Sequence, residues 1–137
     1  MKLEPTPPHP GPWPPTVAVT RLSELFDDLI PGLAERAEEY RAEVDVLDGE
    51  TWTLFVVEMR RSLARLEAGS AARNADTVRG RGHSLEGMGG TMGLPGLSVV
   101  GAELSQAGRE QDWERCTLLT QRLGAWAAVL REAEGEV

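Results

Sequence analysis

The chain has 137 residues, enough for one domain with its own core and too few for two ordinary ones. Its formal net charge is −8, with 22 acids against 14 bases, which argues against nucleic acid because neutralising a phosphate backbone takes clustered Lys and Arg. No apolar run reaches the roughly 18 residues that span a bilayer, and Met1-Lys2-Leu3-Glu4-Pro5 lacks the apolar stretch of a signal peptide. The lone cysteine, Cys116, has no internal disulfide partner and falls in an apolar helical pattern, so it reads as inert filler in a reducing compartment. Together these features predict a cytoplasmic protein that meets no membrane and binds a partner of basic or mixed charge.

Residues 1–16 hold seven of the nine prolines. Such a segment cannot keep a hydrogen-bonded ladder and is expected to be an extended or disordered tail. His9 stands there without ligand companions, and Trp13 reads as an aromatic lying against the domain. Residues 17–50 are expected to form a helical extension. Thr20 is a candidate N-cap before Leu22, Leu25, Phe26, Leu29 and Ile30. Pro31 interrupts this pattern, and Leu33, Ala37, Tyr40, Val44 and Leu47 then recur at steps of three and four. Asp48-Gly49 reads as a turn.

Residues 51–137 carry the remaining helical stripes. Trp52, Phe55, Val56, Met59, Leu63 and Leu66 share one face, with Arg60, Arg61 and Arg65 mainly off it and Gly69-Ser70 as the stop. Asn74 is a good N-cap for the next helix, which carries Val78, Gly82, Leu85, Gly89 and Met92 inward. Gly93, Pro95 and Gly96 break it. Leu97, Val100, Gly101 and Leu104 make a further helix closed at Gly108. Asp112 caps the last one, with Cys116, Leu119, Leu123, Trp126, Ala127 and Leu130 inward. No strand-like alternation of any length is present. The expected fold is all-α: an antiparallel four-helix bundle with an additional N-terminal helical segment.

His83 departs from the apolar stripe of its helix. It lies about 100° from Gly82 and about 200° from Leu85 by the 3.6-residue period, so it points out of the bundle. Its surface neighbours are Arg79, Glu86, Gly87 and Gly90. Five glycines fall between Gly80 and Gly90, and each costs on the order of 0.5–1 kcal/mol relative to alanine inside a helix. For Gly82 and Gly89, on the inner face, close helix packing accounts for the loss. Gly87 and Gly90 lie beside the histidine, where missing side chains bare the surface to another protein. A solvated imidazole, with a reference pKa of about 6.5, is largely neutral near neutral pH and can accept a phosphoryl group. Arg79, one turn earlier, is placed to help hold phosphoryl oxygens.

The run His83-Ser84-Leu85-Glu86-Gly87, followed by Gly93-Leu94 and the helix from Leu97 to Leu104, resembles a histidine-containing phosphotransfer (HPt) domain. The family pattern is roughly Ala-His-x-Leu-Lys-Gly, then a glycine six residues on and an amphipathic helix. Gly82 stands for the small residue before the histidine, and Asn74 stands where the family often has a capping Asp. The resemblance covers about residues 52–133. It implies a monomeric bundle that exchanges phosphate with receiver-domain aspartates of response regulators or hybrid histidine kinases. It implies no cofactor of the domain itself, since the receiver brings the Mg²⁺. Carried over by position, His83 is the phosphoacceptor and Gly87 the glycine that admits the receiver. Glu86 is the departure: the family usually has a basic residue there, and a carboxylate repels an incoming phosphoryl group, subject to screening.

Two readings therefore stay open, a phosphohistidine carrier and a degenerate module that docks signalling partners without phosphorylation. Catalysis by the chain alone is disfavoured. Ser84 and His83 point about 100° apart on a helix and make no triad. Two histidines are too few for a zinc hydrolase. A kinase would need a nucleotide loop and an ATP-binding domain. The acids Glu35, Glu38, Glu39 and Glu43 and the Arg60, Arg61 and Arg65 group read as solvated helix faces, and Trp52, Trp113 and Trp126 as core or core edge.

Overall fold

The computed structural model describes residues 13–42 and 48–133. Among them are six α-helices and no strand: α1 (Thr16–Phe26), α2 (Leu33–Ala37), α3 (Gly49–Ala71), α4 (Ala75–Thr91), α5 (Pro95–Glu110) and α6 (Trp113–Ala133). A 3₁₀ turn, Glu38–Tyr40, follows α2. The last four helices are long and joined by two or three residues, so consecutive ones run antiparallel. Helix α6 also packs on α3, which closes the bundle. No helix among the described residues is long and apolar enough to cross a membrane.

The three corners of the bundle turn in one way. Arg73, Gly93 and Gln111 adopt left-handed backbone, with φ of 53°, 73° and 55°. The next N–H then reaches back into the helix just ended: Asn74 to the Gly69 carbonyl at 2.8 Å, Leu94 to Gly89 at 2.8 Å, and Asp112 to Ala107 at 3.0 Å. These bonds satisfy carbonyls that a helix end leaves orphaned. The following helix starts at once. Asn74 Oδ1 accepts from the Thr77 N–H and Asp112 Oδ1 from the Arg115 N–H, each at 3.1 Å, while Pro95 fills the first position of α5.

Several boundaries differ from the sequence reading. Helices α3 and α5 run past Gly69 and Gly108 to Ala71 and Glu110, because both glycines are packing positions and the left-handed residue comes later. Asp48-Gly49 is the start of α3 rather than a turn: Asp48 Oδ1 accepts from the Thr51 N–H at 2.7 Å and caps the helix. Helix α1 begins at Thr16, a turn before Thr20, with the Pro15 carbonyl taking the first N–H groups. Pro15 is buried, and Trp13 lies against the domain as expected, stacking on Trp52 with ring centroids 5.6 Å apart. The long second helix expected after Pro31 is a five-residue α2 and a 3₁₀ turn that ends where Arg41 becomes extended. Val44 and Leu47, expected to continue it, and Glu43, expected on its solvated face, lie outside the described residues, as do residues 1–12 with His9.

The core is the set of stripes the sequence marks out. Trp52, Met59, Leu66, Val78, Leu85, Leu97, Leu104, Leu119, Leu123 and Trp126 are fully buried. The N-terminal segment adds Ala18, Leu22, Phe26, Ile30 and Leu33 to that core, with α1 lying on α6 and α2 on α5. Polar contacts fix its position. The Trp126 indole donates to the Ala18 carbonyl at 2.8 Å, and Arg122 donates to the Leu25 carbonyl at 2.7 Å and to both Asp28 oxygens. Glu103 on α5 accepts from Arg36 of α2 at 3.0 Å and from Arg115 of α6 at 2.6 Å. Burial pushes the Glu103 carboxyl upward, but the two guanidinium groups outweigh it and hold it below the usual carboxylate range.

Candidate functional site

Helix α4 is built around close contact with α5. A Cβ on Gly82 would stand 2.5 Å from the Ser105 N and 2.7 Å from the Gly101 carbonyl. One on Gly89 would stand 2.5 Å from the Ser98 N, and one on Gly101 would meet the Gly82 carbonyl at 2.6 Å. These neighbours are backbone atoms that cannot swing aside. The glycines therefore let two helix backbones touch, and the contact fixes which face of α4 is left outside.

That outer face carries His83, whose side chain is 83% exposed. Gly80 and Gly87 lie on the same side, and a Cβ on either would meet nothing within 4 Å. The imidazole thus stands between two helix positions that carry no side chain. Its Nδ1 lies 3.7 Å from Oε1 of Glu86, and Glu86 is itself partly sheltered, with its side chain 30% exposed. The other carboxylate oxygen, Oε2, accepts a 2.6 Å hydrogen bond from the Tyr40 hydroxyl. That bond and the partial burial push the Tyr40 phenol up to about 12.

Two contacts hold this arrangement from beneath. The Ser98 hydroxyl, on buried ground in α5, donates to the Glu86 carbonyl at 2.6 Å and accepts from the Gly90 N–H at 3.0 Å. It bridges the carbonyl and the N–H of residues one helical turn apart. The Tyr40 carbonyl sits over Gly90, where a Cβ would come within 2.8 Å of it. The segment carrying Tyr40 is thereby seated against α4 at the turn after the histidine.

The structure brings His83, Glu86 and Gly87 together on the outer face of one helix. Gly90 is half-buried, and the space its missing side chain leaves is taken by the Tyr40 carbonyl. Arg79 is exposed, but its guanidinium is paired with Asp76 at 3.1 Å, one turn away from the histidine. The group that meets the Glu86 carboxylate is instead the Tyr40 hydroxyl. Sequence reasoning placed Tyr40 only as one step of a helical pattern, and nothing local signals a contact across 46 positions. Ser98 was missed for the same reason. Cys116 is buried, and burial pushes its thiol up, away from reactivity. Among the described residues no three His, Cys, Asp or Glu side chains cluster so as to hold a metal ion.

Comparison with curated proteins and with solved structures returns no match for the chain. A family model does match: the Hpt domain model aligns with residues 50–132, more than half of the chain and the whole of the segment from the start of α3 almost to the end of α6. With a closed antiparallel bundle and an outward histidine on its second helix, the chain belongs to the Hpt domain family.

Proposed function

We propose that the chain is a phosphohistidine carrier in a two-component phosphorelay, with His83 exchanging a phosphoryl group with receiver-domain aspartates. The observation that carries this reading is the exposed imidazole beside Gly80 and Gly87, where a Cβ would meet nothing among the described residues within 4 Å. A neutral imidazole nitrogen attacks the phosphorus of an aspartyl phosphate, and the bonding pair leaves with the carboxylate. Such transfer depends on alignment and charge stabilisation, and a receiver can supply both. The Mg²⁺ that neutralises phosphoryl oxygens belongs to the receiver. The carrier itself has no kinase activity, acts as a cytoplasmic monomer, and meets either free response regulators or a hybrid histidine kinase. The segment from α1 to the 3₁₀ turn is an extension that caps a phosphotransfer bundle made of α3 to α6.

A second reading is kept by one observation. Glu86 places a carboxylate 3.7 Å from His83, where family members usually carry a basic residue, and a negative charge there opposes the phosphoryl group. In that reading the chain docks receivers without being phosphorylated. Incubation with a panel of phosphorylated receiver domains separates the two. The carrier acquires acid-labile, alkali-stable phosphate that is absent from His83→Gln. A docking module binds receivers in a pull-down and acquires none.

A further inference from the structure

The two oxygens of the Glu86 carboxylate face different groups. Oε2 is taken by the Tyr40 hydroxyl at 2.6 Å, and Oε1 is turned to Nδ1 of His83 at 3.7 Å. A carboxylate on a free surface side chain would sample many rotamers. This one is held, because the Tyr40 carbonyl rests on Gly90, the Glu86 carbonyl is tied to Ser98, and the segment bearing Tyr40 is fastened through the Arg36–Glu103 pair. We infer that Tyr40 and Glu86 are positioning residues: the tyrosine fixes the carboxylate, and the carboxylate favours the imidazole tautomer with its proton on Nδ1, which leaves the Nε2 lone pair as the nucleophile.

The inference rests on His83 being the phosphoacceptor, but it assigns a part to a residue outside the matched span of 50–132. It also gives the departure at Glu86 a use. In the transfer step the Nε2 lone pair forms the N–P bond while the P–O bond to the donor aspartate breaks, and its pair stays on that carboxylate. No proton moves. The proton already on Nδ1 makes the product ring an imidazolium, and its positive charge forms facing Glu86. The carboxylate that repels an incoming phosphoryl group thus also balances the cation created by the transfer. Among the described residues, the Arg79 guanidinium, paired with Asp76, and the Tyr40 hydroxyl, with Glu39 and Arg36 acting on the tyrosine, are the other titratable or charged groups around this pair.

The test is the ¹⁵N spectrum of the His83 ring in the full chain, recorded at a pH where imidazole is neutral, for wild type, Glu86→Ala and Tyr40→Phe. Free imidazole side chains favour the proton on Nε2. Wild type is expected to shift the ratio toward Nδ1–H by roughly two- to fivefold relative to Glu86→Ala, the size that an exposed charge interaction delivers. Tyr40→Phe, which keeps the ring and its packing, is expected to fall between them. Equal ratios in wild type and Glu86→Ala would overturn the inference, and so would a Tyr40→Phe spectrum identical to wild type. Because the readout needs no phosphate, a tautomer shift without any transfer to His83 would refute the carrier reading and leave the positioning pair standing.

Discussion

Glycines on the two faces of α4 have opposite surroundings. On the inner face, Gly82 and Gly89 meet α5 backbone at distances no Cβ tolerates, and Gly101 answers them from the other side. On the outer face, Gly80 and Gly87 meet nothing within 4 Å. All of them lower helix propensity by the same amount. Inside, the loss is offset by close packing and by a fixed orientation of the helix. Outside, no contact among the described residues offsets it, which is what the proposed approach of a receiver would use. The contrast supports the proposed docking face without reference to the histidine at all.

The largest effect that sharpens this contrast belongs to the seam. Gly101→Ala is expected to cost about 3 kcal/mol in urea unfolding, since overpacking here pushes on backbone rather than on a mobile side chain. A cost near zero would mean that the two helices do not lie as close as described. Next comes Ser98→Ala, which removes the hydroxyl joining Glu86 and Gly90. Loss of a buried bridge of this kind is expected to cost about 1–2 kcal/mol by the same measurement. The outer face should respond with the opposite sign. Gly87→Ala is expected to stabilise the chain by roughly 0.5–1 kcal/mol, whereas Gly87→Trp should leave the bundle folded and abolish phosphate exchange with receivers. Destabilisation by Gly87→Ala would break the comparison.

Much of the bundle was legible because it is written in local periodicity and in caps. Asn74 and Asp112 behave as the sequence predicts, and the apolar stripes of α3 to α6 are the buried ones. Helix ends were less legible for a specific reason. Gly69 and Gly108 resemble stop signals, yet they serve packing: a Cβ on Gly69 would press on Thr77, and one on Gly108 on Val78 and the Arg79 backbone. The left-handed positions fall to Arg73 and Gln111, residues that do not announce such a conformation. The N-terminal segment misled in a related way. Its steps of three and four describe a buried face, but the segment bends at Gly32 and again after Tyr40 to follow the bundle surface.

The candidate site divides along the same line. His83, Glu86 and Gly87 are neighbours by helical spacing, so they could be read from the sequence. Tyr40 and Ser98 arrive by tertiary packing and could not. Gly90 shows what that omission does: with Tyr40 unplaced it looks like a second bare position beside the histidine, whereas with Tyr40 in place it is a seat for the extension.

The smallest expected effect concerns that extension. The Tyr40 phenol is raised from 10.0 to about 12, chiefly by its hydrogen bond to Glu86. A raised pKa means that the folded chain keeps a proton that the unfolded chain has lost. The contribution is therefore complete below about pH 10 and fades as pH climbs towards 12. Wild type should lose slightly more stability than Tyr40→Phe across that interval, and parallel curves would show that the bond contributes nothing.

The most direct measurement of the central claim is site-resolved mass spectrometry of the chain after incubation with a phosphorylated receiver domain, wild type beside His83→Gln. The account predicts phosphate on the His83 imidazole of wild type, removed by acid, retained in alkali, and absent from the variant. Equal labelling of the two proteins, or receivers that bind wild type firmly yet never transfer to it, would contradict it.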